Sequence, residues 1–143
     1  MPTVHQSRHA LARVDATGIG TLQLTDAGAL NIIGSAAIAD LRQALATLSA
    51  LPELRVLVLR GSGERAFIGG ADIAEMATLN PATAEAFITR LAGLCDAVGE
   101  VPVPVIARLA GWCLGGGLEV ALACDLRLAD EGAMFGMPEV KVG

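Results

Sequence analysis

Apolar and polar residues alternate over Ile19–Thr25 (IGTLQLT), the period-two pattern of a strand with one buried face. A loop punctuated by Gly28 and Gly34 is expected around Leu30–Ile33. The period then changes: Ile38, Leu41, Leu45 and Leu48 recur at helical spacing. A helix is therefore expected from Ser35, with Ser35 as its cap and Pro52 as its stop. Arg55–Arg60 (RVLVLR) is short, apolar and β-branched, which reads as a buried strand ended by Gly61, Ser62 and Gly63. Asn80 and Pro81 open a second long helix, one as cap and the other at the first position. Phe87, Leu91, Leu94 and Val98 form its apolar stripe. Pro102–Ala110 (PVPVIARLA) gives a third strand, with prolines at its start where ladder donors are least needed. A short apolar helix follows from about Gly117 to Ala123, then strand patterns over Cys124–Ala129 and Ala133–Gly136. Alternating strands and helices predict an α/β fold with substantially parallel pairing. Met1–Arg13 carries no such pattern and is expected to fray, taking His5 and His9 with it.

A chain of 143 residues suits one domain and is long enough to bury a sizeable core. It is 53% hydrophobic, yet no apolar run approaches the roughly 20 residues that a membrane helix needs, so no membrane partner is expected. Met1–Arg13 lacks both a hydrophobic signal core and the look of a transit peptide, which predicts a cytoplasmic home. A net charge of −5, with no Lys/Arg cluster, argues against a nucleic-acid partner. An anionic small ligand stays open, because helix N-termini bind anions locally. Cys95, Cys113 and Cys124 are odd in number and lack metal-ligand spacing, so they read as free thiols.

Two glycine segments carry the candidate chemistry. In Ala66–Met76 (AFIGGADIAEM), Gly69 and Gly70 let a ligand approach the main chain, and Asp72 is placed to cap a short helical turn. Taken alone, these residues favour a plain tight turn with a cap over a ligand site. In the second segment Gly115, Gly116 and Gly117 run straight into an apolar helix, whose first N–H groups make a natural anion or oxyanion site. Close helix–strand packing is the alternative reading. A phosphate loop is excluded because Leu118 and Glu119 stand where Lys and Ser/Thr are required. The dinucleotide glycine spacing is also unmatched. Glu119 is unusual in an apolar helix, where burying an unpaired carboxylate is costly, although acids favour a first turn. Glu139 follows after Gly136, Met137 and Pro138.

Taken together, AFIGGADIAEM (66–76), PVPVIARLAGWCLGGGLEVALACDLRLAD (102–130) and MFGMPEVKVG (134–143) resemble the enoyl-CoA hydratase/isomerase, or crotonase, superfamily. The resemblance implies a spiral of ββα units assembled as trimers or as dimers of trimers (hexamers). It implies that the Ala71 and Gly116 N–H groups form an oxyanion hole. Glu119 and Glu139 match the two acid/base glutamates of the hydratase branch, and Ala71, Asp72, Ile73 and Ala74 match part of the coenzyme A edge. The implied substrate is an acyl-CoA thioester, with no metal and no separate cofactor. The family's domain ordinarily continues past Gly143, so residues 1–143 are expected to be a single domain truncated before its C-terminal helices. Thr25–Gly28 replaces the usual Arg-Pro, and Ala74 stands where a basic residue is common. A Δ3-Δ2 enoyl-CoA isomerase or another crotonase chemistry, or a non-catalytic acyl-CoA-binding or assembly module, remains open beside the hydratase.

Overall fold

The computed structural model describes residues 1–142; Gly143, the last residue of the family-like segment, lies outside them. The N-terminal segment does not fray. It forms a hairpin of β1 (Thr3–Gln6) and β2 (Ala10–Val14), in which Gln6 pairs with Leu11. Ala10, Ala12 and Val14 face the core, a period-two signal carried mostly by alanines and so nearly invisible in the sequence. His9 is held too: its N–H donates to Asp40 Oδ2 at 2.9 Å.

The rest of the chain repeats one motif, a strand, a short strand and a helix. The first unit is β3 (Ile19–Leu24), β4 (Ile32–Ile33) and α1 (Ser35–Ser49). The second is β5 (Val56–Arg60) and β6 (Ala66–Ile68), then β7 (Gly70–Ala71), the single turn α2 (Ile73–Met76), and α3 (Pro81–Gly99). The third is β8 (Val105–Leu109), β9 (Trp112–Leu114) and α4 (Gly116–Ala123). A fourth follows as β10 (Leu126–Ala129), β11 (Met134–Gly136) and α5 (Glu139–Val142).

The leading strands of all four units join the hairpin in one sheet, ordered β1-β2-β3-β5-β8-β10, antiparallel up to β3 and parallel beyond it. The short strands build two smaller parallel sheets, β11-β9-β6 and β4-β7. This is the coil of ββα units that the resemblance implies. Its core lies between the large sheet and the helices, where Leu22, Leu57 and Val105 meet Leu41, Leu45, Phe87 and Leu94, all fully buried. Among the described residues no helix is long and apolar enough to cross a membrane.

Two local expectations change. The loop over Leu30–Ile33 contains β4, whose two residues are too few to show a period. Ser35 is the first helical residue of α1 rather than its cap: Gly34 is the N-cap and offers no side chain. The cap comes instead from a distant carboxylate, since Ser35 N–H donates to Glu75 Oε2 at 2.9 Å. At α3 the expectation holds. Asn80 Oδ1 accepts from Thr83 N–H at 2.9 Å, and Thr83 Oγ1 accepts from Asn80 N–H at 2.8 Å. Replacing Asn80 by Ala is expected to cost about 1 kcal/mol of stability, read as a lower urea midpoint with an unchanged slope.

Candidate active site

The three-stranded sheet brings distant segments together. Trp112 on β9 pairs with Ala66 on β6, on one side, and with Met134 on β11, on the other. The chain leaves β9 through Gly115, whose φ of 53° is a left-handed conformation that suits glycine, and enters α4 at once. A Cβ on Gly117 would run into the Ile68 carbonyl, so α4 packs against β6 at a distance that only glycine allows. The packing reading of the glycines is therefore correct for Gly117. Gly116 faces elsewhere: its Cβ would sit 3.9 Å from Ala71 N and 3.3 Å from Leu91 Cδ2. Glu119 N–H closes the first turn on Gly115 O at 3.1 Å. The N–H groups of Gly116, Gly117 and Leu118 thus precede the first helical bond, the position from which helices bind anions.

Ala71 reaches this point on β7. Gly70, with φ of 136°, turns the chain out of β6, and β7 pairs with β4 through Gly70–Ile32 and Ala71–Ile33. Asp72 N–H then donates to Ile33 O at 2.9 Å. The Asp72 carboxylate caps α2 as expected, accepting from Ala74 N–H at 3.0 Å and Glu75 N–H at 3.2 Å. Ile73, 78% exposed, and Ala74 project from this edge. Beside it lies an open cavity of about 500 Å³ lined by Arg8, Asp26, Ser35, Asp72 and Glu75 among others. Its arginine is already paired, with Arg8 Nε donating to Asp26 Oδ2 at 2.6 Å. Glu139 arrives from the other side. Gly115 N–H donates to Gly136 O at 2.9 Å, which extends the β9–β11 pairing to the start of α4 and brings the segment before α5 beside it. The Glu139 carboxylate carbon lies 3.3 Å from where a Cβ on Gly115 would be.

The chain is similar to known proteins over most of its length. A family model described as Enoyl-CoA hydratase/isomerase matches residues 15–143. The chain belongs to the enoyl-CoA hydratase/isomerase family. It is similar to mouse "Enoyl-CoA hydratase domain-containing protein 2, mitochondrial", 38% identical across 88% of this chain and 43% of the relative. It is also similar to the "Crotonyl-CoA hydratase" of Syntrophomonas wolfei, 33% identical across 87% of this chain and 48% of that protein. The crystal structure of an enoyl-CoA hydratase/carnitine racemase from Magnetospirillum magneticum superposes with a TM-score of 0.91. That protein is 35% identical, and the match covers 98% of this chain and 53% of that one. The chain thus spans about half the length of the curated relatives it matches.

Within this member of the enoyl-CoA hydratase/isomerase family, Glu119 differs from the buried carboxylate its apolar neighbours suggest. It is exposed, because α4 packs through Gly117, Val120 and Ala121 and leaves Glu119 and Leu122 facing outward. The desolvation argument for a functional Glu119 has no force here, whereas its place on the first turn stands. The residues that sequence reasoning missed are Ile33, Ser35 and Glu75, which fix the Ala71 strand. Their contacts span some forty positions and leave no local signal. The three cysteines are free, with Cys113 and Cys124 buried. Burial pushes the Cys113 thiol up to about 11 and the Cys124 thiol up to about 12. Burial, then the nearby Glu119 charge, raises Cys95 as well.

Two expectations follow from this packing. Gly117→Ala forces a methyl onto main chain and should cost about 1–3 kcal/mol. Gly116→Ala presses only on the end of the Leu91 side chain, with Ala71 N at ordinary contact distance, and should cost less, as thermal melts of the two variants will show. As pH rises above about 9, the unfolded chain releases its thiol protons while the folded chain keeps those of Cys113 and Cys124. Stability should then fall with pH until about 11 for Cys113 and about 12 for Cys124. In urea titrations, replacing both with Ser or Ala should flatten that slope.

Proposed function

We propose that this chain carries the oxyanion hole and the acid/base pair of a 2-enoyl-CoA hydratase. One observation carries the reading: Gly116, on the open first turn of α4, faces Ala71 N, with Glu139 against the adjoining Gly115. A thioester oxygen set between the Ala71 and Gly116 N–H groups gains negative charge as the enolate forms. Fixed donors aimed at that charge are worth about 3 kcal/mol each. Glu119 takes a proton from water as its oxygen bonds to carbon-3, and Glu139 gives a proton to carbon-2, completing the 3-hydroxyacyl thioester. The coenzyme A portion lies along Ala71, Asp72, Ile73 and Ala74. Hydration moves protons and no electrons, so it asks for no redox group; coenzyme A comes with the substrate.

A trimer or hexamer is part of this reading. Trp112, Met134 and Phe135 are about half exposed around the site, an apolar surface that an assembly would cover. The cytoplasmic expectation and the mitochondrial naming of the mouse and human relatives point to different compartments, which microscopy of the tagged protein separates. The exposure of both Glu119 and Glu139 favours a second reading, an acyl-CoA-binding or assembly module without turnover.

The deciding experiment is hydration of crotonyl-CoA, followed through loss of the conjugated thioester absorbance. Glu119→Gln and Glu139→Gln are each expected to lower kcat by about 10²–10⁴-fold while melting normally, since both side chains are exposed. A fall of less than about tenfold, well below what acid/base catalysis contributes, would remove the assigned roles. Calorimetric binding without turnover would favour the binding module. Turnover of a 3-enoyl-CoA that survives loss of one glutamate would favour an isomerase.

A further inference from the structure

The segment after Ala71 is fastened to α1 by contacts that the proposed chemistry does not use. A helix start leaves four N–H groups without intrahelical partners, and the Gly34 N-cap of α1 has no side chain to meet them. Glu75 fills that place from α2. Its Oε2 accepts from Ser35 N–H at 2.9 Å, and its Oε1 accepts from Ser35 Oγ. A carboxylate at a helix N-terminus also meets the positive end of the helix dipole, which favours a charged cap over a neutral one.

Space for this contact is reserved by Gly34. A Cβ there would lie 2.5 Å from Glu75 Oε2 and 3.6 Å from Asp72 Cβ. The Gly34 φ of −103° is open to any residue, so a side chain here would meet the Glu75 carboxylate and no backbone strain. Glu75 itself is fixed at its own end, because its N–H donates to Asp72 Oδ1. Asp72 is in turn tied to Ile33 O through its backbone, one residue beyond Ala71.

We propose that Glu75 is a positioning residue, a latch that fastens the Ala71 strand to the N-terminus of α1 and thereby aims the Ala71 N–H. The consequence for catalysis rests on Ala71 acting as an oxyanion donor, as proposed above; the latch itself does not. It divides the work between two anchors. The β4–β7 ladder sets the height of Ala71, and Glu75 prevents the strand from swinging away from α1.

Amide hydrogen exchange on the full chain tests the latch without any substrate. In Glu75→Ala the Asp72 amide, bonded to Ile33 O, should exchange about five- to tenfold faster, the loosening expected for a lost cap. Gly34→Ala should do the same by displacing the carboxylate, and combining the two should add nothing further, as for partners in one contact. Should Glu75→Ala fail to fold, Ser35→Ala removes the hydroxyl contact alone and should show a smaller rise. Unchanged Asp72 exchange in both Glu75→Ala and Gly34→Ala would overturn the proposal.

Kinetics supply the second arm. With crotonyl-CoA, Glu75→Ala should lower kcat and leave KM unchanged, as for an interaction made in the transition state. Glu75→Gln, which keeps an acceptor for Ser35, should recover most of it. Faster exchange with an unchanged kcat would also overturn the positioning role. Faster exchange in a chain whose unmodified form does not hydrate crotonyl-CoA would support the latch while overturning the hydratase reading.

Discussion

The architecture of the site depends on how closely the first turn of α4 approaches β6. Gly117 sits against the Ile68 carbonyl with no space for a methyl group, and no rotamer choice relieves a clash with main chain. That contact sets the depth of α4, and the depth sets where Gly116 lies relative to Ala71. The ladder from β6 through β9 to β11 carries the same geometry outward to Glu139. One close packing contact therefore fixes three segments far apart in sequence.

The elements with long periods were legible in the sequence. The apolar stripes of α1 and α3 are strong, β5 and β8 are dense in β-branched residues, and Asn80 and Pro81 mark a helix start unambiguously. The hairpin of β1 and β2 was not legible, since its inward positions are mostly alanine and apolar Leu11 lies among the outward ones, which blurs the alternation. Nor were β4 and β7, where two residues give no period at all. Of the candidate site, the glycines and the Asp72 cap could be anticipated from local chemistry. The cap on α1 could not, because Glu75 reaches Ser35 only after the chain has folded. Glu119 illustrates the opposite error. Apolar neighbours suggested a buried helix, but α4 covers just one of its faces.

The polar groups around the site are exposed, while its backbone is confined. Glu119 and Glu139 reach solvent, whereas Gly115, Gly116 and Gly117 are buried. Electrostatic leverage in such a site comes from main-chain dipoles held rigidly, and side-chain charges are weakened by solvent. Asn31 fixes the main chain that leads into β6. Fully buried, it donates to Ser62 O and Ala66 O and ties the loop before β4 to the start of β6.

The outer strand of the large sheet has a different bearing. All four residues of β10 are exposed, Leu126 and Leu128 by more than half, and among the described residues β8 is its one neighbour in the sheet. The outer edge of a sheet that carries apolar side chains is a template for pairing with a further strand, whether of the same chain or of another. The net charge of −5 opposes such pairing through mutual repulsion between molecules. Salt shortens the range of that repulsion to about 8 Å at physiological ionic strength. For residues 1–142, ionic strength therefore sets the balance between an apolar edge that favours strand pairing and a charge that opposes it.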